Sequence, residues 1–331
     1  MINKNFLQNK ITLTPHSTLH TPYYKFADAH CDTLIKILDK NQRLYKNNLH
    51  VDIERLMRHN CKTQFFAVWI DPKYEAEGTA FDRAVRVIDN FHFELRENAE
   101  YLHHITTGDD VDAGKIGALL SIEGGGAIEG DIQKLHALYN MGVRAMTLTW
   151  NGRNAIADGV LTDNPRGLTP FGCDVVREMN TLGMIVDVSH ISEEGFWDVA
   201  NVSAVPFIAS HSNAKAVCNH ARNLTDEQIK HIIKINGFIG LNFCSDFLRE
   251  NGSTVTDIIR HAEHILSLGG ENVLGLGADF DGVEDLPEGI TDVSSIALVV
   301  DEFFKLGYSE GLMDRIMYGN LNRVVKLLVK L

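Results

Sequence analysis

Short runs of apolar and β-branched residues recur along the chain at 26–33, 64–70, 117–123, 143–149, 184–189, 205–210, 238–243 and 272–279. Between them lie stretches whose apolar positions return at helical spacing, among them 79–101, 131–140, 171–182, 225–236 and 254–268. Near-continuous apolar strands alternating with amphipathic helices predict a parallel sheet covered by helices. Eight such strands within about 250 residues suit an α/β fold closed into a (β/α)8 TIM-type barrel better than a doubly wound open sheet. Two long helices, 292–306 and 309–331, are predicted to end the chain. Residues 1–25 read as an N-terminal extension to a single domain spanning 26–331. No low-complexity stretch, charge block or short repeat divides that domain.

Composition narrows the partners. Among the 331 residues, 31 Lys and Arg stand against 44 Asp and Glu, a net charge of −13. Nucleic-acid backbones and anionic membranes need a cationic surface, so neither is an expected partner; small molecules and metal cations remain. No run reaches the roughly 18–20 apolar residues of a membrane span, and 1–25 lacks the apolar core of a secretory signal. The five cysteines (Cys31, Cys61, Cys173, Cys218 and Cys244) are scattered without a C-x-x-C pair. They read as reduced thiols in a cytoplasmic protein.

A (β/α)8 barrel keeps its chemistry at the C-terminal ends of its strands, so candidate residues should end the apolar runs. The first run reads Ala27-Asp28-Ala29-His30-Cys31-Asp32, and His30 and Asp32, two apart, share a face of an extended strand. The third ends in Glu123, a carboxylate costly to bury unpaired, followed by Gly124-Gly125-Gly126. The triple glycine lacks the lysine and spacing of a phosphate-binding loop. The fifth and sixth runs end in His190 and His211, and the eighth in Asp279. Three histidines and three carboxylates form an N/O donor set of the kind zinc takes. Six groups exceed the three ligands of one catalytic zinc and suit two metals sharing a carboxylate, with one acid left for proton transfer.

The other histidines read differently. His103-His104 and the His261/His264 pair fall in polar, helical stretches and are expected to be solvated. H-A-E-H at 261–264 is not the order of a zinc-protease helix, and G-L-G at 275–277 lacks the third glycine of a dinucleotide fingerprint.

From Ala27 to the final helix the chain resembles the membrane (renal) dipeptidase family of amidohydrolase-type metal-dependent hydrolases. The resemblance rests on A-D-A-H-C-D-T, S-I-E-G-G, D-V-S-H, S-H-S-N-A-K-A-V-C, R-N and G-A-D-F-D-G in that order, with 20 residues between His190 and His211. It implies a zinc-dependent dipeptidase with two Zn2+ per chain. His30, Asp32 and a bridging Glu123 would hold one zinc, and Glu123, His190 and His211 the other. It further implies that Arg222 grips the C-terminal carboxylate of a dipeptide whose last residue is L or D, and that Asp279 moves protons while a metal-bridging hydroxide attacks. Trp150, ending Thr147-Leu148-Thr149-Trp150, stands where characterised mammalian members carry a substrate-contacting histidine; it is a candidate substrate-binding residue that can donate but not carry charge. Those members are lipid-anchored and disulfide-linked, and this chain is expected to be neither, although a homodimer is compatible with the reading. Another metal-dependent amidohydrolase, such as an N-acyl amino acid deacylase or a lactonase, and a non-catalytic binding barrel are the competing readings.

Overall fold

A computed structural model describes residues 24–330. The predicted N-terminal extension, except Tyr24 and Lys25, lies outside them. Nine strands appear among the described residues: β1 (Phe26–Asp28), β2 (Cys61–Trp69), β3 (Leu102–His104), β4 (Ile116–Glu123), β5 (Val143–Thr147), β6 (Ile185–Asp187), β7 (Ile208–Ala209), β8 (Phe238–Leu241) and β9 (Leu274–Leu276). Every ladder between them is parallel. β1 pairs with both β2 and β9, and β2 pairs with β4 directly, so eight strands close into a barrel with helices around it. β3 lies outside that ring, alongside the start of β4. The predicted (β/α)8 barrel is the observed fold.

Alternation along the strands sorts the side chains into two layers. Phe66, Val68, Leu120 and Ile122 join the large apolar cluster shared with the surrounding helices. Phe65, Leu119, Ala145, Ile185, Ile208 and Phe238 instead pack with Leu321, Val324, Val325 and Leu328 of the helix Asn320–Leu328. That last helix plugs the N-terminal end of the barrel. It is fixed there by Asn322 Oδ1, which accepts from Thr63 Oγ1 at 2.8 Å, and by Asn320, which donates to Leu274 O at 2.8 Å.

The other end of the barrel is a shared rim. Trp69 pairs with Glu123, Glu123 with Thr147, and Thr147 with Asp187, so four strand ends lie level. β7, β8 and β9 approach so closely there that a Cβ on Gly277 would run into the carbonyl of Ser210. Glycine is the residue that permits this spacing beside His211.

Several local expectations need correction. His103 and His104 are not helical but form the end of β3, half-buried, with Nε2 atoms 2.6 Å from Asp110 O and 3.0 Å from Gly142 O. A three-residue strand on the outside of a barrel carries no periodicity for a sequence to display. His261 does lie in a helix (Val255–Ser267) but is fully buried rather than solvated. Its Nδ1 accepts from Ala214 N at 3.0 Å, and its Nε2 donates to Leu248 O at 3.1 Å. The predicted closing helix 309–331 is three pieces, Glu310–Asp314, a π-helical turn Arg315–Gly319, and Asn320–Leu328.

Candidate metal centre

All six strand-end candidates converge in the rim, and each is at most 7% exposed. His30 and Asp32 follow β1, Glu123 is the last residue of β4, His190 and His211 follow β6 and β7, and Asp279 follows β9. His190 and Asp279 hold left-handed backbones, with φ of 68° and 62°. Non-glycine residues adopt that conformation at a cost and keep it where the surroundings enforce it. Gly282 completes the turn: a Cβ there would meet the carboxylates of Asp279 and Asp32.

Glu123 divides its two oxygens. Oε2 lies 3.4 Å from His30 Nε2, which is itself 3.3 Å from Asp32 Oδ2. Oε1 lies 3.0 Å from His190 Nε2 and 3.6 Å from His211 Nε2. Asp279 Oδ1 stands 3.7 Å from His30 Nε2, so Asp279 belongs to the His30 and Asp32 side of the cluster. Burial, together with the nearby Asp32 and Asp279 carboxylates, pushes the Glu123 carboxyl up to about 7 against the pull of His30. Burial pushes His190 and His211 well below the ordinary imidazole range, helped by the neighbouring Arg222 and His30 charges. Burial works the same way on His30, but Glu123 and Asp32 beside it outweigh it and raise that ring instead.

The outer partners set the tautomers. Ser210 Oγ donates to Asp187 Oδ2 at 2.5 Å, so at 2.7 Å from His211 Nδ1 it accepts that ring's proton. Asn151 Oδ1 lies 2.8 Å from His190 Nδ1 and accepts there. Both Nε2 atoms are therefore bare, yet they stand 2.9 Å apart. Two facing lone pairs at that distance repel unless a cation lies between them. On the other side, His30 Nε2 and Asp32 Oδ1 are buried and, beyond the ion-pair approaches above, make no hydrogen bond among the described residues. Buried polar groups without partners are costly, and these are nitrogen and oxygen atoms of the kind divalent zinc accepts. The residues fit a pair of divalent metal ions.

Arg222 arrives on the segment between β7 and β8. It is 6% exposed, donates through Nη2 to His211 O at 3.3 Å, and leaves Nε unpartnered. His220 Nδ1 accepts from Arg222 N at 3.2 Å, and the His220 ring lies 4.5 Å from that of Phe247, which gives His220 a structural place beside the arginine. Trp150 is half-buried, its ring 5.3 Å from Trp69 edge-on and 6.2 Å from His190.

Sequence reasoning passed over the supporting residues. Asp187 collects Thr147 Oγ1 at 2.6 Å, Ser210 Oγ, and the backbone N–H groups of Ser189 and Ser210. Asp28 Oδ1 accepts from Ala278 N at 2.9 Å, anchoring the turn that carries Asp279, while Asn242 donates to Asp279 Oδ2 at 2.9 Å. A signal existed for Asp28 and Asp187, each an acid inside an apolar run. Asn151 and Asn242 carry none.

Residues 19–330 match the family described as membrane dipeptidase (peptidase family M19). An uncharacterized dipeptidase of Schizosaccharomyces pombe is 32% identical over 82% of this chain and 72% of its own. Among solved structures, the dipeptidase AC, a metallopeptidase, superposes with a TM-score of 0.86 at 28% identity, covering 93% of this chain and 99% of that one. A metallopeptidase from Rhodobacter sphaeroides, liganded with a phosphinate mimic of the dipeptide L-Ala-D-Ala, gives a TM-score of 0.84 at 27% identity over 92% and 99%.

Proposed function

This chain belongs to the membrane dipeptidase family of metallopeptidases, and from that premise we propose that it is a zinc-dependent dipeptidase acting on dipeptides with a free C-terminal carboxylate, the last residue L or D. The observation that carries the reading is the division of Glu123, one oxygen toward His30 and Asp32 and the other toward His190 and His211. His30, Asp32 and Glu123 would hold one zinc, and Glu123, His190 and His211 the second. Bound there, zinc would supply Lewis acidity to the scissile carbonyl and make a water molecule acidic enough to ionise near neutral pH.

The chain's own groups do the rest. Asn242 occupies Asp279 Oδ2, which leaves Oδ1 facing His30 and free to exchange protons. Asp279 takes a proton from the attacking water and returns it to the amide nitrogen as the C–N bond breaks, first base and then acid. Arg222, desolvated and with Nε open, pairs with the terminal carboxylate, and a guanidinium fork fixes both its distance and its direction. The R. sphaeroides structure with a mimic of L-Ala-D-Ala supports acceptance of a D-residue at that end.

The test uses purified protein. Metal analysis should find about two zinc equivalents per chain, and chelation should abolish turnover reversibly. L,L- and L,D-dipeptides should be hydrolysed, and the same dipeptides amidated at the C-terminus, or N-acylated amino acids, should be poor substrates. Preference for N-acylated amino acids would overturn the dipeptidase reading in favour of a deacylase.

A further inference from the structure

A cavity of about 250 Å3 opens beside the metal centre, with His190 and Arg222 both in its wall. That is room for one amino-acid side chain beyond a carboxylate held by Arg222. Lys215, half-buried, lines the same cavity, and its ammonium makes no ion pair or hydrogen bond among the described residues. Ser192 and Thr225, the N-caps of the helices Glu193–Val202 and Asp226–Lys234, line it too, so two helix N-termini face one space. Helix N-termini favour anions, and the buried Arg222 with its unpartnered Nε supplies a second, independent attraction of the same sign. The opposing charges are Glu193 and Glu194, both exposed on the rim, where water and salt screen them.

Resting on the dipeptidase reading, we propose that this cavity selects dipeptides whose C-terminal residue has an acidic side chain, with Arg222 taking the α-carboxylate and Lys215 the side-chain carboxylate. One cation cannot satisfy both groups of a dicarboxylic residue at once. The second cation, unpaired among the described residues, gains its partner when such a residue is present. A neutral side chain of the same shape leaves it unpaired, and a basic one places like charges together.

The experiment compares kcat/KM for L-Ala-Glu and L-Ala-Gln, isosteric peptides differing in charge, with the last residue in L and D form. In the native enzyme the Glu peptide should lead by about tenfold or more, mainly through KM, as expected for a charge-assisted contact away from the reacting bond. K215M should bring the ratio toward one, K215R should restore it, and K215E should shift preference to L-Ala-Lys. Equal rates on Glu and Gln peptides in the native enzyme, or a ratio untouched by K215M, would overturn the acidic pocket while leaving the dipeptidase reading in place. Hydrolysis of no dipeptide at all would overturn both.

Discussion

The side-chain oxygen of Asn151 stands 2.8 Å from Nδ1 of His190. An amide oxygen only accepts, so the contact places the ring proton on Nδ1 and turns a bare Nε2 toward Glu123. Asn151 thus orients His190, a ligand in the proposed metal centre. Asn151→Leu, similar in size but with no acceptor, should weaken metal binding by about 10–100-fold, measured by competition with a chelator of known affinity. Asn151→Asp keeps an acceptor and should retain most of the affinity. If Asn151→Leu binds metal as tightly as the native chain, packing alone orients His190.

Glu123 turns one carboxylate oxygen toward each half of the centre. Glu123→Gln replaces one ligating oxygen with an amide nitrogen, which has no lone pair to offer a cation. Metal content should fall from about two equivalents to one or fewer, with loss of turnover. Two tightly held equivalents in that variant would remove Glu123 from the bridge.

Asp279 is the acid assigned to proton transfer, although its Oδ1 lies on the His30 and Asp32 side of the cluster. Asn in its place preserves shape and tolerates the left-handed backbone. Asp279→Asn should lower kcat by about 10²–10⁴ with metal content unchanged. Loss of one metal equivalent would instead make Asp279 a ligand.

The barrel was legible in the alternation of apolar runs with helical stretches, and its rim because five of the eight runs lead into a histidine or carboxylate whose burial needs a reason. His30, Asp32, Glu123, His190, His211 and Asp279 were all visible on that ground. Reading the runs as strands to their ends overestimated them: β1 stops at Asp28 and β7 at Ala209, and the functional residues lie just beyond, where the backbone leaves the ladder. After β6 and β9 the backbone leaves the ladder through left-handed turns at His190 and Asp279, and no side-chain pattern announces them. What stayed hidden is tertiary. Asn151 and Asn242 act on residues 39 and 37 positions away, and His261 meets the backbone of Ala214 and Leu248, both distant from it in sequence.

His261 makes a prediction about acid stability. Burial pushes its pKa down to about 4, so the folded protein holds it neutral while the unfolded chain protonates it near 6.5. Below pH 6.5 the unfolded state therefore binds a proton that the folded state refuses, and stability falls as pH drops toward 4. The loss should be on the order of 2 kcal/mol by pH 5. His261→Gln offers an acceptor and a donor but does not titrate. The drop in Tm between about pH 7.5 and 5 should be smaller for that variant than for the native chain, whatever its absolute stability. An equal drop would assign the acid sensitivity to other groups.

The resemblance to the mammalian family members implies a histidine where this chain carries Trp150. Its ring meets Trp69 edge-on at 5.3 Å and lies 6.2 Å from the ring of His190, so it forms part of an aromatic wall beside the metal centre. Two roles are open to it there. An indole N–H aimed at the developing oxyanion would make Trp150→Phe costly, since one preorganised donor is worth about 2.7–4 kcal/mol, or a hundredfold and more in kcat. A wall that shapes the pocket predicts a nearly neutral Phe variant, because Phe keeps the edge-to-face contact with Trp69, and a Trp150→Ala variant that changes which side chains are accepted. The wall is the expected outcome: a neutral, single donor replaces a titratable imidazole poorly, whereas the contact with Trp69 is already in place. The kcat of Trp150→Phe on the best dipeptide decides between them, with metal content measured alongside. A fall beyond a hundredfold at full metal occupancy would make the indole N–H a participant in the reaction.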